Sequence, residues 1–244
     1  MSIAVITGCS GGIGSAMLKE FQNAGYTTVG IDKRTCDQAD IFIQFDLEQL
    51  ISSEKSRKQL LSQITQACSG RPVKVLINNA AVQILAGIVD LSVDNFKSTM
   101  DINVTVPFIL SKLLYNSLKS VKGNIINIGS IHAKLTKPTF LAYSTSKAAL
   151  LGLTQAMAVD FGHEIRTNAI QPGAIATEML IQGFKNKPED INTLKNYQPC
   201  GKIGTPEEIA KIALFLSSED QCGFINGATI DANGGIGVRL HDPF

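Results

Sequence analysis

No charge excess, no membrane-length apolar run and no paired cysteine spacing mark this sequence, and each absence closes a class of function. Lys and Arg total 22 against 21 Asp and Glu, a formal charge of +1, so no strong field gathers nucleic acid or an anionic membrane. No run of about 18 apolar residues offers a membrane span. The opening Met1-Ser2-Ile3-Ala4-Val5-Ile6-Thr7 lacks the basic region and longer apolar stretch of a secretory signal, and a cytoplasmic protein is expected. Cys9, Cys36, Cys68, Cys200 and Cys222 are odd in number, scattered and never spaced C-x-x-C. Reduced, mostly structural thiols follow, with neither disulfides nor a metal site expected. Internal repeats and low-complexity segments are missing as well.

What is present is an ordinary globular composition: 244 residues, 44% apolar and 18% charged, with Gly 21 and Pro 8, enough for one sizeable core and one domain. Short β-branched runs alternate with longer helical patterns. Ile3 to Thr7, Thr27 to Ile31, Ile41 to Phe45, Val73 to Ile77, Asn124 to Ile128, Arg166 to Ile170 and Ala228 to Ile230 read as strands. Helices are predicted over 13–24, 56–68, 93–119 with an interruption near Ile102, 143–161 and 206–217. That rhythm implies a seven-stranded, doubly wound parallel sheet with helices on both faces, an α/β fold. The runs Val75-Leu76-Ile77 and Ile125-Ile126-Asn127-Ile128 leave no wet face and belong at its centre. Thr205-Pro206-Glu207-Glu208 reads as a helix start: a capping hydroxyl, a proline suited to the first turn, and acids facing the positive dipole end.

The first strand runs into Thr7-Gly8-Cys9-Ser10-Gly11-Gly12-Ile13-Gly14, and a helical pattern follows at once. A dinucleotide pyrophosphate needs backbone amides at a helix N-terminus, and no side chains where the backbone turns, approaches the phosphates and packs on the strand. Gly8, Gly12 and Gly14 fit those three tasks, with Ser10, Gly11 and Ile13 beside them. The spacing differs from G-x-G-x-x-G, and a tight turn that binds nothing is the alternative. Asp32 closes the second strand roughly 20 residues on, where a carboxylate can hold the adenosine ribose hydroxyls. It favours NAD over NADP, although Lys33 and Arg34 follow at once and could meet a 2′-phosphate. Asp32 as a mere turn former is the alternative.

Ser130 follows the fifth strand, and Tyr143 and Lys147 lie four apart, on one face of a helix. To act near neutrality a tyrosine must lower its pKa from about 10, a change of about 3 to 4 kcal/mol. One positive charge at roughly 4 Å and an effective dielectric near 20 supplies about 4 kcal/mol before desolvation. Lys147 is therefore sufficient as an activator.

In order, the glycine loop, Asp32, Asp46-Leu47, Asn78-Asn79-Ala80, Asn103, Ser130, Tyr143-x-x-x-Lys147 and Pro172-Gly173 resemble the short-chain dehydrogenase/reductase family over nearly the whole chain. The resemblance implies a single Rossmann-type domain over 1–244. It implies that Ser130 orients a substrate oxygen, Tyr143 is the general acid or base, Lys147 holds the ribose and tunes Tyr143, and Asn103 supports a proton-relay water. It also implies that Asp46 and Leu47 flank the adenine, that Asn79 and Ala80 line the cofactor cleft, and that Ile175 and Thr177 contact the carboxamide. Ala81 stands where the family often has glycine, which narrows the space beside the cofactor. Helix caps are the plainer roles for Asp46 and Thr177, and buried backbone partners for Asn78, Asn79 and Asn103.

His132 could reach a substrate but reads more simply as a loop residue, and Cys9 reads as an oxidation site and not as a nucleophile. The segment 177–201, with Lys185, Lys187, Pro188, Lys195 and Tyr197, resembles the family's substrate lid. Between Ala148 and Val159 only Thr154 and Gln155 are polar. A helix so apolar needs cover beyond its own sheet, and a homodimer or homotetramer through it and the helix near 104–119 is expected. The expected reaction is hydride transfer between a nicotinamide and a small secondary alcohol or ketone. A 3-oxoacyl carrier-protein reductase is the runner-up, weakened by Asn124 and His163 where related reductases often carry arginines. A dinucleotide-sensing module without chemistry is the third reading.

Overall fold

The computed structural model describes residues 2–184 and 190–240. In chain order it contains β1 (Ile3–Thr7), α1 (Gly12–Asn23), β2 (Thr27–Asp32), β3 (Ile41–Gln44), α2 (Gln49–Ser52), α3 (Glu54–Ala67), β4 (Val73–Asn78) and α4 (Val93–Met100). A π-helical turn (Asp101–Thr105), α5 (Val106–Lys119), β5 (Asn124–Ile128), a 3-10 turn (Ile131–Ala133), α6 (Leu141–Phe161) and β6 (Arg166–Pro172) follow. The remaining elements are α7 (Glu178–Gly183), α8 (Asp190–Tyr197), α9 (Pro206–Ser217), α10 (Glu219–Cys222), β7 (Thr229–Ala232) and a second 3-10 turn (Ile236–Val238).

The strands form one parallel sheet in the order β3-β2-β1-β4-β5-β6-β7. This is the single-domain, doubly wound Rossmann architecture. Alternation along β1 sends Ala4 and Ile6 to a core with Met17 and Phe21 of α1 and Ala213 of α9. Val5 goes the other way, to Leu60 of α3 and Leu110 of α5. Every residue of β5 is buried, as expected for a strand covered on both faces. The strand order reverses between β1 and β4, so a crevice opens at the carboxyl ends of those strands.

The expected helix over 93–119 is broken as the sequence suggests, by the π-helical turn that contains Ile102. Thr205 and Glu208 form a reciprocal capping box with Pro206 at the start of α9. β6 runs two residues beyond the predicted end, since Gln171 and Pro172 still pair with Asp231 and Ala232. A proline is tolerated at the strand's end, where its missing N–H breaks little of the ladder. Among the described residues no helix is long and apolar enough to cross a membrane.

Candidate active site

The glycine loop joins β1 to α1 at the strand reversal. Gly8 adopts φ +64°, a left-handed conformation, and donates its N–H to Ile31 at 2.9 Å. A Cβ on Gly14 would lie 2.2 Å from the Gly8 carbonyl oxygen, so only glycine lets α1 seat against the loop. A Cβ on Gly12 would meet the Thr177 methyl at 3.2 Å, which places the loop against the chain that leaves β6. Gly11 donates to the Gly8 carbonyl at 3.2 Å, and Ile13 packs on the α1 side of the core.

Asp32 is drawn toward that loop. Its Oδ2 accepts from the Ser10 amide at 3.0 Å and the Ser10 hydroxyl at 2.6 Å, and its Oδ1 from the Arg34 amide at 3.0 Å. Burial alone would raise its pKa, but the bonds from Ser10 and Arg34 outweigh it and hold the carboxyl below its usual range. Arg34 donates to the Ser10 hydroxyl at 3.2 Å and lies 3.9 Å from Glu178 at the start of α7. Lys33 is exposed. Asp46 accepts from the Glu48 amide at 3.1 Å, a local turn bond, while Leu47 is buried in the core.

The Asn78-Asn79-Ala80 segment is pinned to the end of β1. Thr7 Oγ1 accepts from the Asn79 and Ala80 amides at 3.0 and 3.1 Å, and Asn79 Nδ2 donates to the Thr7 and Gly8 carbonyls, each at 3.0 Å. Asn78 donates to Asn127 at 2.8 Å, and Asn127 donates to Thr154 at 2.9 Å. Asn103, in the π-helical turn, accepts from the Val82 amide and donates to the Val82 carbonyl and the Ser146 hydroxyl, all at 2.9 Å. Ser146 donates in turn to the Tyr143 carbonyl at 2.7 Å. Asn103 thus ties the chain after β4, where Ala81 is half-buried, to the turn of α6 that carries Tyr143. The supporting partners Thr7, Ser146 and Thr154 escaped the sequence reading. The run Ser144-Thr145-Ser146 before Lys147 held the only signal, and nothing in it tells the inward hydroxyl from the outward ones.

Ser130, Tyr143 and Lys147 converge at the carboxyl end of β5. They are 8%, 9% and 2% exposed. Lys147 Nζ donates to the Ile128 carbonyl at 2.7 Å and lies 5.7 Å from the centre of the Tyr143 ring. Burial raises the Tyr143 phenol above its ordinary pKa, and a hydrogen bond with Ser130 opposes that rise. Burial also pulls the Lys147 ammonium down to about 8. Desolvation, left unsummed in the sequence argument, is thus the dominant influence on both groups. His132 stacks on Phe140 with centroids 4.3 Å apart and meets the Tyr143 ring edge-on at 6.0 Å. It forms the wall beside the phenol, and burial and then Lys137 hold its imidazole below its ordinary pKa.

Pro172 is buried at the end of β6, and a Cβ on Gly173 would come within 2.8 Å of Asn233 Cα. Ile175 is 6% exposed, and Thr177 caps α7 by accepting from the Leu180 amide at 3.4 Å. The cap expected of Thr177 is therefore present, beside the glycine loop. Of the lid segment, Lys185, Lys187 and Pro188 lie outside the described residues; α7 and α8 are its helical parts.

The Lys147 shift carries a pH signature. Between about pH 8 and its ordinary 10.5 the folded chain has lost this proton while the unfolded chain keeps it, so stability rises with pH through that window. Below pH 8 both states hold the proton and the burial penalty is complete. Compared with Lys147→Met by urea titration, the wild type should gain roughly 2 kcal/mol between pH 7 and 10. A pH-independent difference between the two proteins would contradict this.

A family model described as enoyl-(acyl carrier protein) reductase matches residues 8–237. The (3R)-3-hydroxyacyl-CoA dehydrogenase of Homo sapiens is 29% identical, over 96% of this chain and 95% of that protein. The ligand-free aldohexose dehydrogenase of Thermoplasma acidophilum superposes with a TM-score of 0.92 at 25% identity, covering 100% of this chain and 96% of its own. A 4-hydroxyisoleucine dehydrogenase solved with NADH gives 0.86 at 31% identity, over 98% of this chain and 100% of its own.

Proposed function

Because the chain belongs to the short-chain dehydrogenase/reductase family, we propose that it catalyses reversible hydride transfer between NAD and a small secondary alcohol or ketone. One observation carries this reading: Ser130, Tyr143 and Lys147 lie together, all buried, at the end of β5, with the Ser130 and Tyr143 hydroxyls hydrogen-bonded and the Lys147 ammonium 5.7 Å from the Tyr143 ring centre. The residues fit a dinucleotide, since Gly8 and Gly14 let the loop fold tightly onto the start of α1 where a Cβ would strike backbone, and the Asp32 carboxyl, held below its usual pKa, stands beside that loop. Gly8, Ser10, Gly11, Gly12, Ile13, Gly14, Asp32 and Lys33 would hold its adenosine and pyrophosphate, with Asp46 and Leu47 at the adenine. Asn79, Ala80, Ala81, Pro172, Gly173, Ile175 and Thr177 would border its nicotinamide half, with Tyr143 and Lys147. When bound, the nicotinamide supplies the carbon that gives or takes hydride.

The chain's own residues handle the proton. Ser130 aligns the substrate oxygen, and Tyr143 exchanges a proton with it. Lys147, whose pKa near 8 keeps it charged at neutrality, favours the phenolate and opposes the rise that burial imposes. Asn103 positions the Tyr143 turn through Ser146 and supports a relay water. Asn124 is buried and donates to the Ser217 carbonyl at 3.1 Å, so it offers an acyl carrier protein nothing to grip. That favours a small alcohol, polyol or sugar over a carrier-bound acyl chain.

Turnover of alcohols, polyols, sugars and 3-oxoacyl thioesters with each dinucleotide, followed at the reduced nicotinamide absorbance, tests the reading. Dinucleotide binding with no turnover anywhere would instead favour a sensor without chemistry. Asp32 supports NAD over NADP, because a 2′-phosphate would meet its charge. Asp32→Ser should weaken NADH about tenfold and narrow the gap to NADPH, as measured by dissociation constants for both. An equal loss for both dinucleotides would reduce Asp32 to a loop brace.

We also propose a homodimer or homotetramer. Val159 of α6 is 80% exposed and Phe108 of α5 is 47% exposed, and Ala148, Gly152 and Ala156 continue the bare stripe along α6. Light scattering that returned a monomer mass would overturn it.

A further inference from the structure

Two sulfurs meet at the glycine loop. Cys9 lies between Gly8 and Ser10, fully buried, and its Sγ projects over Gly30, where an added Cβ would come within 2.8 Å of it. The same added Cβ would lie 2.9 Å from the Cβ of Ala39. Glycine at position 30 therefore makes the room in which Cys9 and the segment 33–40 pack together. Cys36, on that segment, is half-buried, points its Sγ at the Cys9 carbonyl from 3.9 Å and packs against the core cluster that holds Cys9. Cys36 is also close enough to act on the Cys9 thiol, whose pKa burial raises first and Cys36 raises further.

We propose that Cys9 and Cys36 are a reversible oxidation site that a hydroperoxide closes into a disulfide, and that closure weakens dinucleotide binding. The second half rests on the cofactor reading above. Cys36 is the thiol that an oxidant meets first, because Cys9 is fully buried. Its sulfur takes one oxygen from the peroxide and becomes a sulfenic acid, releasing water. Contrary to the expectation that Cys9 is no nucleophile, its sulfur then attacks that of Cys36 while its proton passes to the departing hydroxyl; the S–O bond breaks, the S–S bond forms and a second water leaves. Two thiols and one hydrogen peroxide become one disulfide and two waters, with two electrons passing from sulfur to peroxide oxygen.

The coupling to binding is geometric. A disulfide holds its sulfurs at about 2.05 Å, whereas the Cys36 thiol now points at the Cys9 carbonyl oxygen, 3.9 Å away. Closure turns the Cys36 sulfur from that carbonyl to the Cys9 sulfur and pulls on the segment 33–40, which begins beside Asp32, with Lys33 and Arg34 at its base. The bonds among Ser10, Asp32 and Arg34 are the first to be distorted. Of the remaining cysteines, Cys68 and Cys222 are buried and Cys200 is exposed, so Cys200 is the thiol to remove.

The full chain carrying Cys200→Ser is reduced, desalted and treated with stoichiometric hydrogen peroxide, then read by peptide mass mapping and NADH titration. The expected result is a Cys9–Cys36 cross-linked peptide and an NADH affinity about tenfold weaker, both reversed by dithiothreitol. A matched Cys36→Ser protein should keep its affinity through the same treatment. Cys36 found only as higher oxides, both thiols intact, or a cross-link with unchanged NADH affinity would each overturn the proposal. Reduced protein that binds neither NADH nor NADPH overturns the cofactor reading instead, and the peptide map tells that failure apart from one of sulfur chemistry.

Discussion

Tyr143→Phe is expected to lower turnover by about a thousandfold, within the range that a positioned acid or base contributes, and to leave NADH affinity within about twofold. The substitution removes one oxygen and keeps the ring that His132 and Phe140 meet edge-on, so the packing survives. The lost atom is the one that Ser130 hydrogen-bonds and that would exchange a proton with the substrate oxygen. Steady-state rates on the best substrate of the panel, beside a fluorescence titration with NADH, decide the matter. Retained turnover would move the proton chemistry elsewhere in the pocket. Turnover and binding lost together would mean that the ring's oxygen is structural.

Gly14→Ala should be the most damaging single methyl in the glycine loop. Its Cβ would lie 2.2 Å from the Gly8 oxygen and 2.8 Å from Cys9 Cα, both backbone atoms of a turn braced by Ile31 and Asn79. No side chain can swing aside, so α1 must back away from β1 and take its buried Met17 and Phe21 with it. Overpacking of this kind costs about 3 kcal/mol. Urea unfolding should show that loss, and any protein that still folds should bind NADH at least about tenfold more weakly. Gly87→Ala, with nothing within 4 Å of the added atom, is the control and should be close to neutral. Equal midpoints for the two variants would show that the loop yields.

What the sequence made legible was whatever repeats locally. β4 and β5 announce themselves by Val75-Leu76-Ile77 and Ile125-Ile126-Asn127-Ile128, too apolar to leave a wet face, the helix over 93–119 by its period and its fault near Ile102, and α9 by Thr205-Pro206-Glu207-Glu208. Helices α2 and α10 have four residues each and are too short to show a period. The site shows the same division. Ser130, Tyr143 and Lys147 stand in an ordered pattern along the chain, so their meeting could be anticipated. The bonds that hold them could not, because Asn103 reaches Val82 across 21 positions and Ser146 across 43. Tertiary packing creates those pairs. Nor does spacing between Tyr143 and Lys147 reveal that both sit in the dry interior, where desolvation sets their ionisation.

The widened turn at Asp101–Thr105 works as a splice between two helices with different obligations. α4 packs against α6, and α5 against β4 of the sheet. One added residue advances an α-helix by about 100°, so the apolar stripes on either side of the turn need not share a face. The chain changes neighbours without a loop and keeps Asn103 rigid at the joint. An ordinary α-helical register through the same stretch would rotate α4 relative to α5 by about 100° from their present relation.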